Sequence, residues 1–134
     1  MYALVVRVAG LQERTLDAVL ARNGLRRRHW HVLEALFDGP LTRAQIAEAM
    51  LPFWLAAAVT QTDVADDLVR RDWAASDGSG YRLTADGTAA HVRIAEQVRA
   101  VATDSVRGIS VADHRIVLEV LARIAGNLEA TLGP

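Results

Sequence analysis

The chain has 134 residues, 51% of them hydrophobic, 23% charged and 5% aromatic, which suits one globular domain with a sizeable core. All 15 basic residues are arginine and they balance 16 acids to a formal net charge of −1, so any nucleic-acid site must be a local patch rather than a property of the whole surface. The absence of cysteine excludes disulfides, thiolate nucleophiles and Cys-ligated zinc or iron–sulfur centres, and the early apolar run at residues 2–6 is too short for a membrane span. The expected protein is soluble and cytoplasmic, with no membrane partner.

Residues 3–22 place Leu4, Val8, Leu11, Thr15, Val19 and Arg22 at three- and four-residue steps, the pattern of an amphipathic helix, and Asn23-Gly24 supplies its left-handed stop. A second helix is predicted over 26–37, presenting Trp30, Leu33 and Phe37 with Leu36 alongside, and ending at Asp38-Gly39. Thr42-Arg43-Ala44-Gln45 is a capping box, with Leu41 and Ile46 spaced to staple across it, so a short third helix should run to Met50. An apolar connection, 51–59, is longer than a tight helix-turn-helix requires. A second cap at Thr60-Gln61-Thr62-Asp63 opens a helix running to about Arg71, with Val64 and Leu68 on its buried face.

Residues 73–76 and 81–83 flank Asp77-Gly78-Ser79-Gly80, a turn-forming sequence, so a small hairpin is predicted with Tyr81 and Leu83 inward and Arg82 outward. It is the only β-structure expected. Two long helices complete the chain. Ile94, Val98 and Val101 stripe the first, between Thr84 and Gly108. Val117, Leu121, Ile124, Leu128 and Leu132 stripe the second, which Ser110 caps. One small domain offers little to cover so much apolar helix, which points to a second copy of the chain.

This order of elements is mainly α with a small β-hairpin wing: a winged helix-turn-helix flanked by N- and C-terminal dimerisation helices. At Leu41-Thr42-Arg43-Ala44-Gln45-Ile46-Ala47, Leu68, Trp73 and Tyr81-Arg82-Leu83-Thr84-Ala85-Asp86-Gly87 the sequence resembles the MarR family (multiple antibiotic resistance regulators) of bacterial transcription factors. The resemblance covers nearly the whole chain. It implies one domain over 1–134, with a winged helix-turn-helix lobe at 25–87 and dimerisation helices at 1–24 and 88–134. It further implies a homodimer on double-stranded DNA at a pseudo-palindromic operator, released by a small, often aromatic, effector. Carried over by position, the recognition helix is 60–71. Thr60 is its cap, Gln61 and Thr62 lie nearest base edges, and Arg82 lies where the wing returns from its tip.

Three features depart from the family pattern. Asp63, Asp66 and Asp67 put carboxylates on a helix that should approach phosphates, the wing tip offers only Asp77, two glycines and Arg82, and the connection around Pro52, Phe53 and Trp54 is long. Asp63 fits a capping role, Asp66 either accepts from a cytosine amino group or repels phosphate, and Asp67 has the spacing to pair with Arg70 or Arg71. Arg70, Arg71 and Arg82 form either a phosphate clamp or a solvated charge cluster. Arg26-Arg27-Arg28 lies outside the expected reading head, as a solvated face or as intersubunit ion pairs.

Trp30, His31, Phe53 and Trp54 are the candidate effector-pocket residues, core packing being the alternative. His29 and His31 diverge by about 200° on a helix and cannot share a metal, and His91 and His114 are isolated in sequence. No nucleophile with base and orienter, phosphate-cradling glycine loop or catalytic carboxylate pair is present, so neither an enzyme nor a cofactor is expected. The acidic recognition helix leaves an alternative function open: a winged-helix module that binds proteins or small molecules without sequence-specific DNA binding.

Overall fold

A computed structural model of the chain describes residues 1–51 and 61–133, the side chains of Gln61 and Thr62 excepted. In chain order the elements are α1 (Tyr2–Arg22), α2 (Arg27–Phe37), β1 (Leu41–Thr42), α3 (Arg43–Met50), α4 (Gln61–Arg70), β2 (Ala74–Ser76), β3 (Gly80–Leu83), α5 (Ala85–Ser105) and α6 (Val111–Leu132). They fall into two compact units, Met1–Arg99 and Ala100–Pro134. Among the described residues no helix is long and apolar enough to cross a membrane.

The core of the first unit is built by the buried faces of its helices: Leu20 and Leu25, then Trp30, Val32, Leu33 and Leu36, with Ile46, Met50, Val64, Leu68, Tyr81 and Ile94. Phe37 departs from the expected face. It is 45% exposed, because Leu36 takes the inward position at the end of α2 and Phe37 instead lays its ring on His91.

Local chemistry fixes the ends of the elements. Gly24 N–H bonds the Ala21 carbonyl and Leu25 N–H the Leu20 carbonyl, with Gly24 at φ +68°; this is a Schellman stop sealed by the buried Leu20 and Leu25. The same bond pattern ends α4. There Asp72 N–H reaches the Val69 carbonyl and Trp73 N–H the Leu68 carbonyl, with Asp72, not glycine, at φ +60°. The box at Thr42 is present as expected. Thr42 Oγ1 accepts from Gln45 N at 3.2 Å and Gln45 Oε1 accepts from Thr42 N at 2.9 Å.

The wing differs from the expected two-stranded hairpin. Leu41–Thr42 adds a third strand, giving the antiparallel order β1-β3-β2 with Leu41 opposite Tyr81 and Ser76 also opposite Tyr81. Two residues are too few to show alternation in sequence, and Gly80 permits the pairing: a Cβ there would lie 2.5 Å from the Leu41 carbonyl oxygen. The hairpin tip is an Asx turn, in which Asp77 Oδ1 accepts from Ser79 N at 2.9 Å and from Ser79 Oγ at 2.6 Å. Those bonds hold the Asp77 carboxyl below its ordinary pKa.

The Leu83-Thr84-Ala85-Asp86-Gly87 segment has a mechanical reading. Thr84 Oγ1 caps α5 by accepting from Gly87 N at 3.0 Å while donating to the Asp72 carbonyl at 2.5 Å. Gly87 lets the α5 backbone meet the Trp73 carbonyl, which a Cβ would approach to 1.8 Å. α5 ends at Ser105, short of the expected Gly108, which lies beyond it at φ +80°. In the second unit Ser110 Oγ caps α6, and none of the α6 residues is buried.

Candidate nucleic-acid interface

The expected reading head centres on α4 and the wing. Its cap residue Thr60 lies outside the described residues, as do Phe53 and Trp54 of the effector group. Gln61 and Thr62 begin α4, and their side chains are likewise outside the description. Val64, Ala65 and Leu68 bury the inner face of α4, which leaves Asp63 and Arg70 exposed and Asp66 and Asp67 half-buried.

The carboxylates of α4 have internal partners. Asp66 Oδ1 accepts from the Tyr81 hydroxyl at 2.7 Å, joining α4 to β3. Burial raises the Tyr81 pKa, and the hydrogen bond and negative charge of Asp66 raise it further, so the phenol stays a donor. The Arg43 guanidinium lies 5.4 Å from the centre of the Tyr81 ring, which places a cation over its face. Nothing local in the sequence signals the Asp66–Tyr81 bond, because 15 positions and a turn separate its partners.

Asp67 pairs with both expected arginines and with a histidine. Arg71 Nε donates at 2.7 Å, Arg70 Nη2 at 3.1 Å, and His29 Nε2 lies 3.2 Å away. Partial burial raises the Asp67 carboxyl, but the bonds and charge of Arg71, with Arg70 and His29, outweigh it and hold it below the usual carboxylate range. Arg71 also donates through Nη1 to the Gly24 carbonyl at 3.0 Å. The three candidate clamp arginines are therefore not equivalent. Arg71 is tied at both ends of its guanidinium, Arg70 is exposed with one partner, and Arg82 on β3 is exposed with no partner among the described residues.

Arg82 borders a wing concavity of about 220 Å³ that Thr42, Gln45, Asp77 and Tyr81 also line. A second concavity, about 390 Å³, lies among Asp17, Leu25 and Arg26, Arg27 and Arg28. Arg27 pairs there with Asp17 at 2.8 Å and Glu13 at 3.7 Å, within its own chain rather than across a subunit boundary. Neither concavity is lined by Trp30 or His31. Trp30 belongs to the core and stacks on His91 with ring centres 5.2 Å apart, while His31 is half-buried. His91, 7% exposed between Trp30 and Phe37, places Nε2 3.4 Å from Glu34. Among the described residues no three histidine or carboxylate side chains gather to hold a metal ion.

Among the described residues four helices, a wing that β1 joins and two long helices, in this order, give a winged helix-turn-helix with flanking helices, the fold of MarR-family regulators. No family model matches the sequence, and no curated protein is significantly similar to it. Among solved structures the chain is similar to the Mycobacterium tuberculosis MarR family protein Rv2887 (22% identity, TM-score 0.74, 92% of each chain covered). It is similar, too, to that protein's complex with DNA (22% identity, TM-score 0.73, 92% of this chain and 96% of that one). A third likeness is to MepR, a transcription regulator of the Staphylococcus aureus multidrug efflux pump MepA (16% identity, TM-score 0.76, 96% and 99% covered).

Proposed function

We propose that the protein is a homodimeric DNA-binding transcriptional regulator rather than an enzyme. In this reading the 25–87 lobe reads DNA and the helices at 1–24 and 88–134 dimerise. The observation that carries it is the nearly full-length fold likeness to a MarR family protein whose structure was solved with DNA. α4 enters the major groove, where Gln61 and Thr62 meet base edges behind the Thr60 cap, and Arg70 and Arg82 contact phosphates. Arg71, which already donates to Asp67 and Gly24, positions α4 instead. Asp66 bonds Tyr81, so its charge is held toward the wing root and its effect on DNA depends on keeping that bond.

A small aromatic effector acts by population shift, favouring a spacing of the two reading heads that no longer matches major grooves about 34 Å apart. A likeness to Rv2887 in complex with p-aminosalicylic acid supports that ligand class (21% identity, TM-score 0.70). Trp30, His31, Phe53 and Trp54 are the residues assigned to it. The alternative, a winged-helix module without specific DNA binding, rests on the three α4 carboxylates. Internal pairing of Asp66 and Asp67 reduces the repulsion it relies on.

An electrophoretic shift with the DNA upstream of the protein's own reading frame, against random duplex and across a salt series, tests the reading. Preference for the upstream DNA is expected, with log K falling as salt rises. Arg82→Ala should weaken binding to all sequences alike and flatten the slope by about 2, one phosphate contact per subunit. Thr62→Ala should lose discrimination with the slope unchanged. Equal affinity for both duplexes at low salt would overturn the regulator reading in favour of the alternative.

A further inference from the structure

Asp67 is the meeting point of three helix ends. Through Arg71 it reaches the Gly24 carbonyl in the stop of α1, through His29 it reaches the first turn of α2, and it stands on α4 itself. His29 is bound on both sides of its ring. Nδ1 accepts from the Arg26 backbone N–H at 3.2 Å, closing the N-terminus of α2, while Nε2 faces the Asp67 carboxylate at 3.2 Å. That pair of partners fixes the neutral tautomer with its proton on Nε2, because a backbone N–H needs a lone pair on Nδ1.

A second proton would go to Nδ1 and set two N–H groups against each other. The Arg26 amide would lose its acceptor and the ring would have to turn, taking Nε2 from Asp67. Of the charged groups acting on the imidazole, Asp67 on α4 favours the cation, while Arg71 on α4 and Arg26 at the start of α2 oppose it. Burial opposes it most, and His29 is held below its ordinary pKa.

We propose that the His29–Asp67–Arg71 node positions the recognition helix against the α1–α2 corner, and that protonation of His29 opens this node, so that operator binding weakens in mildly acidic solution. Asp67 and His29 are positioning residues here. The DNA half of the proposal rests on the regulator reading, whereas the node can be measured in the free protein.

Two arms test it. In the free protein, NMR titration should show the His29 imidazole changing state below pH 6.5, with the Arg26 amide shift following the same curve. A His29 midpoint at or above 6.5, or an Arg26 amide indifferent to it, overturns the node. This arm needs no variant. In the second arm, upstream-DNA affinity is measured at pH 7.5 and below the His29 midpoint that the NMR arm finds, for the wild type and for His29→Gln, whose amide can accept from Arg26 and donate to Asp67 without titrating.

The wild type should lose more affinity on acidification than His29→Gln does. Because His31, His91 and His114 are common to both proteins, an equal response in the two overturns the coupling to DNA. Absence of DNA binding at any pH overturns the regulator reading and the DNA half together, and the NMR arm still decides the node.

Discussion

Gly87 shows how one missing side chain sets the junction between wing and helix. Its Cβ position is 1.8 Å from the Trp73 carbonyl oxygen, which belongs to backbone that also accepts from Thr84 N, so neither side can yield alone. Gly87→Ala should therefore destabilise the fold by about 3 kcal/mol, the upper range for forced overpacking, and urea denaturation would measure it. An unchanged midpoint would mean that the two backbones separate freely. Titration supplies a second residue-scale expectation. Burial, with Arg27 adding to it and Glu34 opposing, holds His31 below its ordinary pKa, so the unfolded chain binds the proton more readily than the folded one. Stability is then complete above pH 6.5 and declines as pH falls below it. Denaturant midpoints at pH 7.5 and 5.5 should show that decline, and His31→Gln should reduce it.

At the scale of elements, the α3 cap is the clearest case of sequence chemistry becoming structure. Thr42→Ala removes the hydroxyl that accepts from Gln45 N and should cost about 1 kcal/mol, read as a lower melting temperature, whereas Thr42→Ser should restore most of it. Such signals are short-range, and that explains what the sequence could reveal. The Thr42 capping box, the Ser110 cap, the Asn23-Gly24 stop and the Asp77–Gly80 turn each act within a few residues, so helices α1, α2, α3, α5 and α6 and the hairpin were all legible with their ends nearly in place. β1 was not, since two residues carry no period and their partner lies across the wing at Tyr81. The site divides in the same way. The i,i+3 and i,i+4 pairs of Asp67 with Arg70 and Arg71 follow from helical spacing, but the bonds from His29, Tyr81 and the Gly24 carbonyl depend on tertiary packing that no local pattern encodes. Phe37 failed for a related reason: its spacing fits an inward face, yet Leu36 and the His91 ring decide which way it turns.

For the whole molecule, the exposed apolar surface of the terminal helices sets the strongest constraint. Val117, Leu121, Leu128 and Leu132 recur at steps of about one or two helical turns along α6 and are 42–85% exposed; Leu4, Val8 and Leu11 do the same along α1 at 45–63%. Stripes of that length are covered by partner chains in obligate assemblies, whose interfaces bury about 2,000 Å² or more. Light scattering should accordingly give twice the chain mass, about 29 kDa from a 14.5 kDa chain, at micromolar concentration. Leu121→Glu with Leu128→Glu puts two charges into the proposed interface and should yield monomers with the core of the first unit intact, since neither residue is buried there. Those monomers would lose far more operator affinity than a single-site defect explains, because two half-sites about 34 Å apart can no longer be engaged together, while their weak binding to random duplex should persist. A wild-type chain that remains a folded monomer at high micromolar concentration would remove the dimer and, with it, the spacing mechanism assigned to the effector.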